Sequence, residues 1–170
     1  MAEAASSNDN QYLTFTLERE LFALDIGSVR EVLELVNITR VPRTPDYIRG
    51  VINLRGRAVP VVDLKLKFGM GATERTVNTC IIIVEVNLDG ESTVLGALAD
   101  SVQEVYEMES AQIEATPRMG TPIKADFIRG MGKSGEQFII ILDINKVFTS
   151  LELAGLAQSL GEAAPENAEA

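Results

Sequence analysis

The sequence predicts a mostly β fold of two small barrels, about five strands each, packed side by side. Three observations carry that reading: strand signals dominate the body of the chain, the turns between them are short, and one ordered pattern occurs twice. Tyr47-Ile48-Arg49-Gly50 returns as Phe127-Ile128-Arg129-Gly130, and Val61-Val62-Asp63-Leu64 returns as Ile141-Leu142-Asp143-Ile144, both 80 residues later. Upstream, Ser28-Val29-Arg30-Glu31-Val32 is echoed by Ser101-Val102-Gln103-Glu104-Val105, and Ala23-Leu24 by Ala97-Leu98. Echoes in one order mark duplication of a unit of roughly 70 residues. A unit that small buries limited apolar area, so the halves should share an interface, and the groove along it is a natural place for a partner.

The elements follow in order. Tyr12 to Leu17 reads as a half-buried strand, returned through Glu18-Arg19-Glu20 to Leu21–Leu24. Gly50–Leu54 and Ala58–Val62 flank Arg55-Gly56-Arg57, a hairpin in which glycine takes the positive φ. Pro60 cannot donate to a ladder, so its amide side should face an edge or a bulge. Ile81–Val86 and Thr93–Leu98 flank Leu88-Asp89-Gly90, a strong hairpin signal, and Phe138–Leu142 follows Ser134-Gly135-Glu136 in the same way. Helical signals are short: Ile26–Val32, Asp46–Arg49, Leu64–Phe68 and a last one from about Ser150 to Leu160. Gly69, Gly71 and Pro122 mark loops. These signals put barrel 1 at about 19–76 and barrel 2 at about 78–140, with the strand at 11–17 completing the second barrel; the ends, 1–10 and 161–170, read as disordered tails.

Composition narrows the function. The 46% hydrophobic and 24% charged fractions are those of a soluble globular protein. No apolar run approaches the ~20 residues of a membrane-spanning helix, and the small, acidic start lacks the form of a signal peptide. A lone cysteine, Cys80, precludes a disulfide framework within the chain, so a reducing cytoplasm is the expected compartment. The net charge of −10 argues against nucleic acid as the main partner. Residues 40–67 carry seven bases against Asp46 and Asp63, whereas 85–114 carry eight acids and no base. Such patches are either two solvated faces or surfaces that steer protein partners into register.

The chemistry of catalysis is thin. There is no histidine, so the commonest general base and metal ligand is missing, and Cys80 has nothing to activate it. Gly130-Met131-Gly132-Lys133-Ser134-Gly135 lacks the spacing of a phosphate loop. Asp63 and Asp143 hold equivalent places and invite comparison with a proton-sharing carboxylate pair. Their neighbours, Leu64-Lys65 and Ile144-Asn145, are not those of acid proteases, and each stands where it can cap a short helix. No cofactor or metal site emerges.

The stretch Val41-Pro42-Arg43-Thr44-Pro45-Asp46-Tyr47-Ile48-Arg49-Gly50-Val51-Ile52-Asn53-Leu54-Arg55-Gly56, with Pro60-Val61-Val62-Asp63-Leu64, strongly resembles the CheW-like chemotaxis coupling proteins. Ala99–Val105 and Asp126–Gly132 extend the likeness over nearly all of 11–150, the span of the expected domain. The resemblance implies SH3-like five-stranded barrels and a non-catalytic adaptor without cofactor. It implies a protein that joins the cytoplasmic tip of methyl-accepting chemoreceptors to the histidine kinase CheA, held at receptor arrays through its partners and not inserted in the membrane. A type IV pilus or other chemosensory pathway is the alternative. Carried over by motif, Val29, Glu31, Val102 and Val105 would belong to the receptor groove, and Asn53, Arg55 and Gly56 to the kinase surface. Core packing competes for the valines and a solvated turn for Arg55. Arg49 and Arg129 recur in both halves, which favours a shared structural task such as stacking on Tyr47 or Phe127 or bonding a carbonyl. Arg43, Arg57 and Arg75 make the first half unusually basic for this family.

Overall fold

The structure, a computed structural model, describes residues 10–88, 90–115 and 127–148. Residues 1–9 and 161–170 of the expected tails, the loop at Pro122, Asp89 of the hairpin signal and the helix from about Ser150 lie outside those residues, whereas Asn10 accepts a backbone bond from Met108 at 2.8 Å. The described residues form ten strands: β1 Gln11–Leu17, β2 Glu20–Asp25, β3 Val29–Glu34, β4 Ile48–Leu54, β5 Arg57–Asp63, β6 Cys80–Leu88, β7 Glu91–Ala99, β8 Ser101–Glu107, β9 Ile128–Ser134 and β10 Gln137–Leu142. Two short helices, α1 Leu64–Lys67 and α2 Ile144–Phe148, follow β5 and β10.

The strands form two five-stranded sheets, β3-β6-β7-β5-β4 (barrel 1) and β8-β1-β2-β10-β9 (barrel 2). The first repeat is β1–β5 and the second β6–β10, so each barrel takes three strands from one repeat and the opening hairpin from the other. The expected boundaries, 19–76 and 78–140, are therefore corrected: β2 belongs to barrel 2, and β6 and β7 belong to barrel 1. The physical cause is the pairing. β5 lies parallel to β7 through Val61↔Gly96 to Asp63↔Leu98, and β10 lies parallel to β2 through Ile139↔Leu21 to Ile141↔Ala23. β1 stands between β2 and β8.

Other expectations also give way locally. Ile26–Val32 forms a 3-10 turn only over Ile26–Ser28 and then enters β3, whose β-branched residues suit a pleated strand. Asp46 and Tyr47 form a turn, and Ile48 and Arg49 already belong to β4. Pro60 sits in an interior strand, but the ladder to β7 begins one residue later, at Val61, so no bond of that ladder is lost.

The echoed Ile-Arg-Gly has a steric origin. Thr39 bridges Val51 and Glu114 bridges Met131, so each connecting segment crosses the strand beside the glycine. A Cβ on Gly50 (φ +143°) would strike the Thr39 carbonyl, and one on Gly130 would press the Ile113 side chain at 2.6 Å and the Glu114 carbonyl at 3.0 Å. Only glycine allows so close an approach.

The core is threefold. Barrel 1 encloses Ile52, Val59, Val61, Ile81, Ile83 and Leu98, and barrel 2 encloses Tyr12, Ala23, Met108, Ile139 and Ile141. A larger cluster joins Phe15, Leu17, Phe22 and Leu24 of barrel 2 to Val62, Phe68, Ile82, Val84 and Ala97 of the first repeat and barrel 1, with Val147 and Phe148 of α2. Phe15, Phe22, Phe68 and Phe127 form a chain of ring contacts, at centroid spacings of 5.9, 6.3 and 6.0 Å. Each such side chain contributes roughly 1.5–3 kcal/mol on burial, so the seam between the barrels holds much of the stability.

Candidate functional site

β4 and β5 meet in a two-residue turn, Arg55-Gly56, with φ of +52° and +85°. Two successive positive φ values are the hairpin turn whose twist matches its strands, so the turn is shorter than the expected Arg55-Gly56-Arg57, and Arg57 opens β5. Asn53 holds the turn, its Oδ1 accepting the Gly56 N–H at 2.7 Å. Arg55, a residue with a Cβ, occupies the left-handed position where glycine is favoured. Its guanidinium reaches back to β3 and donates from Nη1 and Nη2 to the two carboxylate oxygens of Glu31, at 2.8 and 2.9 Å. The Arg55 side chain nonetheless keeps 70% of its exposure. Its hydrogen bonds hold the Glu31 carboxyl below the usual carboxylate range, and Glu31 in turn raises the Arg55 guanidinium.

This pair links the two expected sets, because the family resemblance implies the receptor groove for Glu31 and the kinase surface for Arg55. The Ser-Val-x-Glu-Val strands are equivalent edge strands, β3 of barrel 1 and β8 of barrel 2, and each carries a register shift within the motif. Such shifts re-aim side chains. Val29 and Val102 are partly buried and pack against the seam between the barrels. Val105, opposite Leu13, is 47% exposed, and Val32 is 40% exposed. The structure thus draws Val29 and Val102 to one cluster, leaves Val105 at the surface, and binds Glu31 to the hairpin tip.

Several polar residues escaped the sequence reading. Asp63 does cap α1, accepting from Lys65 N at 3.1 Å and Leu66 N at 3.3 Å, but it also accepts from Thr73 N and Oγ1 at 2.9 and 2.6 Å and from Arg49 at 3.2 Å. With every oxygen lone pair so engaged inside the protein, it is a structural hub. Asp143 bonds only Lys146 N, at 3.3 Å, among the described side-chain bonds. Where a ring or a carbonyl was the expected partner of the paired arginines, the structure supplies carboxylates: Arg49 bonds Asp63 and Arg129 lies 3.9 Å from Asp25. The cation over Tyr47 and Phe127 is Lys67, at 4.4 and 5.5 Å from the ring centres.

Lys65 is buried at the seam and meets Asp100, between β7 and β8, and Glu18, in the β1–β2 turn, each at 3.4 Å. Burial pulls its ammonium down, but the two carboxylates outweigh that and leave the net shift upward. Asn145, 80 positions on, accepts from Asn87 N at 2.9 Å. Equivalent positions of the repeats therefore tie each barrel to the other, which the alignment of the repeats alone could have suggested.

The comparisons agree with this geometry. A family model described as the CheW-like domain matches residues 11–152. The chemotaxis protein CheW of Klebsiella aerogenes is 33% identical over 151 residues, covering 89% of both chains. That of Treponema pallidum is 31% identical, covering 88% of this chain and 89% of its own. The crystal structure of the scaffolding protein TtCheW from Thermoanaerobacter tengcongensis superposes with a TM-score of 0.75 at 38% identity, over 85% of this chain and 90% of that one.

Proposed function

The chain belongs to the CheW-like family, the non-catalytic scaffolds of bacterial chemotaxis, and from that premise we propose that it couples methyl-accepting chemoreceptors to the histidine kinase CheA. The observation that carries the reading is the Arg55–Glu31 pair on the β4–β5 hairpin. A guanidinium pinned by two bonds yet 70% exposed is pre-organised: it presents its remaining N–H groups to a partner without losing rotamer freedom on binding. Asn53 and Gly56 serve that surface by shaping the turn. Val29 and Val102, packed on the seam, and the exposed Val105 fit the apolar stripe of a receptor helix laid against β3 and β8. Among the described residues no helix is long and apolar enough to cross a membrane; a cytoplasmic protein recruited to receptor arrays through its partners is the matching location.

The test is a reconstituted receptor–kinase assay. Arg55→Ala is expected to lower receptor-coupled kinase activation by roughly tenfold, the range of lost hydrogen bonds to a charged group, while circular dichroism stays that of the parent. Unchanged coupling would remove Arg55 from the kinase surface. Co-purification from the native cell, with receptor and kinase identified by mass spectrometry, assigns the pathway.

A further inference from the structure

At the far end of β4 from the hairpin, barrel 1 carries two adjoining clefts of about 630 and 380 Å³. Arg40, Asp46, Ile48 and Arg49 line both; Arg75 and Thr73 add to the larger and Arg43 to the smaller. Arg49 is committed to Asp63, but among the described residues no carboxylate pairs with Arg40, Arg43 or Arg75. Asp46 is the one acidic residue in either lining. Three guanidinium groups without a carboxylate partner among the described residues, spread over two adjoining clefts that share Arg40, make a local positive field that low-dielectric walls focus.

The loop that supplies Arg75 is built to hold still. Thr73 is anchored on buried Asp63. Thr79 Oγ1 accepts from Thr76 N at 2.9 Å and donates to the Glu74 carbonyl at 3.1 Å, and Asn78 N donates to Thr76 Oγ1 at 3.1 Å. Between Arg75 and Thr79, both of which line the larger cleft, the turn presents Val77 at 99% exposure. An apolar side chain fixed in water on an ordered turn is a ready contact for another surface, since little entropy is lost when it is covered. A small anion has no use for it.

We propose that this cleft, with Val77 beside it, is a second docking surface that takes an acidic polypeptide segment of a partner protein, one carrying an apolar residue among its carboxylates. The Arg49 end of β4 lies about 20 Å from its Arg55 end, at ~3.3 Å per residue, so the segment would not compete with a partner held at the hairpin. This goes beyond the coupling role and stands or falls without it, because its test needs neither receptor nor kinase.

The test is a titration of the ¹⁵N-labelled full chain with a short synthetic peptide of glutamates around one leucine. Amide shifts are expected to be confined to 37–49 and 73–79. Arg40→Gln combined with Arg75→Gln should weaken the peptide by roughly fivefold or more, as expected for two exposed charge contacts, and added salt should do the same to the parent. Val77→Ser, or a peptide without the leucine, should weaken it roughly threefold, the scale of one part-covered apolar side chain. Arg40, Arg75 and Val77 are all surface positions, so a well-dispersed spectrum for each variant confirms that folding is intact. Absent or scattered shifts, or equal affinity in the variants, overturn the proposal. So does displacement by inorganic phosphate at equal ionic strength, which would make the cleft a small-anion site. A change at the cleft amides in peptide-free Glu162→Gln/Glu166→Gln/Glu169→Gln protein also overturns it, because the occupant would then be the chain's own acidic end.

Discussion

A guanidinium and a carboxylate 24 positions apart meet in a two-pronged bond because a tight turn, with Arg55 itself at positive φ, swings one strand's tip over the edge of another. The titration of Glu31 reports on that geometry. Its carboxyl is held down chiefly by the Arg55 hydrogen bonds, against a weaker upward effect of burial. A group with a depressed folded value contributes stability above its unfolded value and loses it as pH falls through the folded one. The pair should therefore be intact at neutral pH and open only below about 4.5, the ordinary value for glutamate. Carbon-detected NMR of the Glu31 carboxyl should give a midpoint below 4.5 in the parent and one closer to it in Arg55→Ala. An identical midpoint in both would show that the bond does not persist in solution. Arg55→Lys tests the fork itself, since an ammonium supplies the charge but cannot match both oxygens in one plane.

At the scale of elements, duplication copied a framework and left its polar fittings free to diverge. Both repeats keep the bond from the aspartate N–H to the carbonyl ahead of Ile-Arg-Gly, Asp63 to Tyr47 at 2.6 Å and Asp143 to Phe127 at 2.8 Å. Their side chains differ in what they hold, and stability should show it. Asp63→Ala strands the amides of Lys65, Leu66 and Thr73 and the Arg49 guanidinium, and is expected to cost about 3–5 kcal/mol, as for a broken buried ion pair. Asp143→Ala removes one cap bond and should cost about 1 kcal/mol. Urea unfolding of the two variants measures the difference; equal losses would contradict the hub role of Asp63. This divergence also marks what could be read in advance. The strands, turns and capping positions follow from alternation, glycine and the echoed motifs, all local signals. Thr73, Glu31 and Lys65 carry no local sign of their partners, because each bond closes only when distant segments are brought together. Arg49 and Arg129 show that a repeat marks a shared position, yet each faces a different carboxylate, Asp63 and Asp25.

For the whole molecule the decisive fact is the exchange of hairpins, which the repeat cannot reveal because it says which segments are alike and not which ones pair. β1 and β2 leave their own repeat to complete barrel 2, while β6 and β7 complete barrel 1. Neither repeat can then close a barrel alone: β3–β5 would lack β6 and β7 between them, and β1–β2 would lack β8 and β10. The phenylalanine-rich seam adds to this, since Phe15 and Phe22 from one barrel pack with Phe68 and Val84 from the other's surroundings. A fragment of residues 1–78 should accordingly stay unfolded by circular dichroism and amide dispersion, although it contains a whole repeat. Mixed with a fragment of residues 79–170, it should recover the parent spectrum, as all ten strands are again available. The intact chain should melt in one calorimetric transition whose van't Hoff and calorimetric enthalpies agree, the mark of a single cooperative unit. A folded 1–78 fragment, or two separate transitions, would mean that the barrels are independent and that the exchange carries little of the stability. For a scaffold the single unit has a consequence: the hairpin tip on barrel 1 and the β8 edge of barrel 2 are held at one fixed spacing, so any partners docked on the proposed surfaces would be held in register by the fold itself.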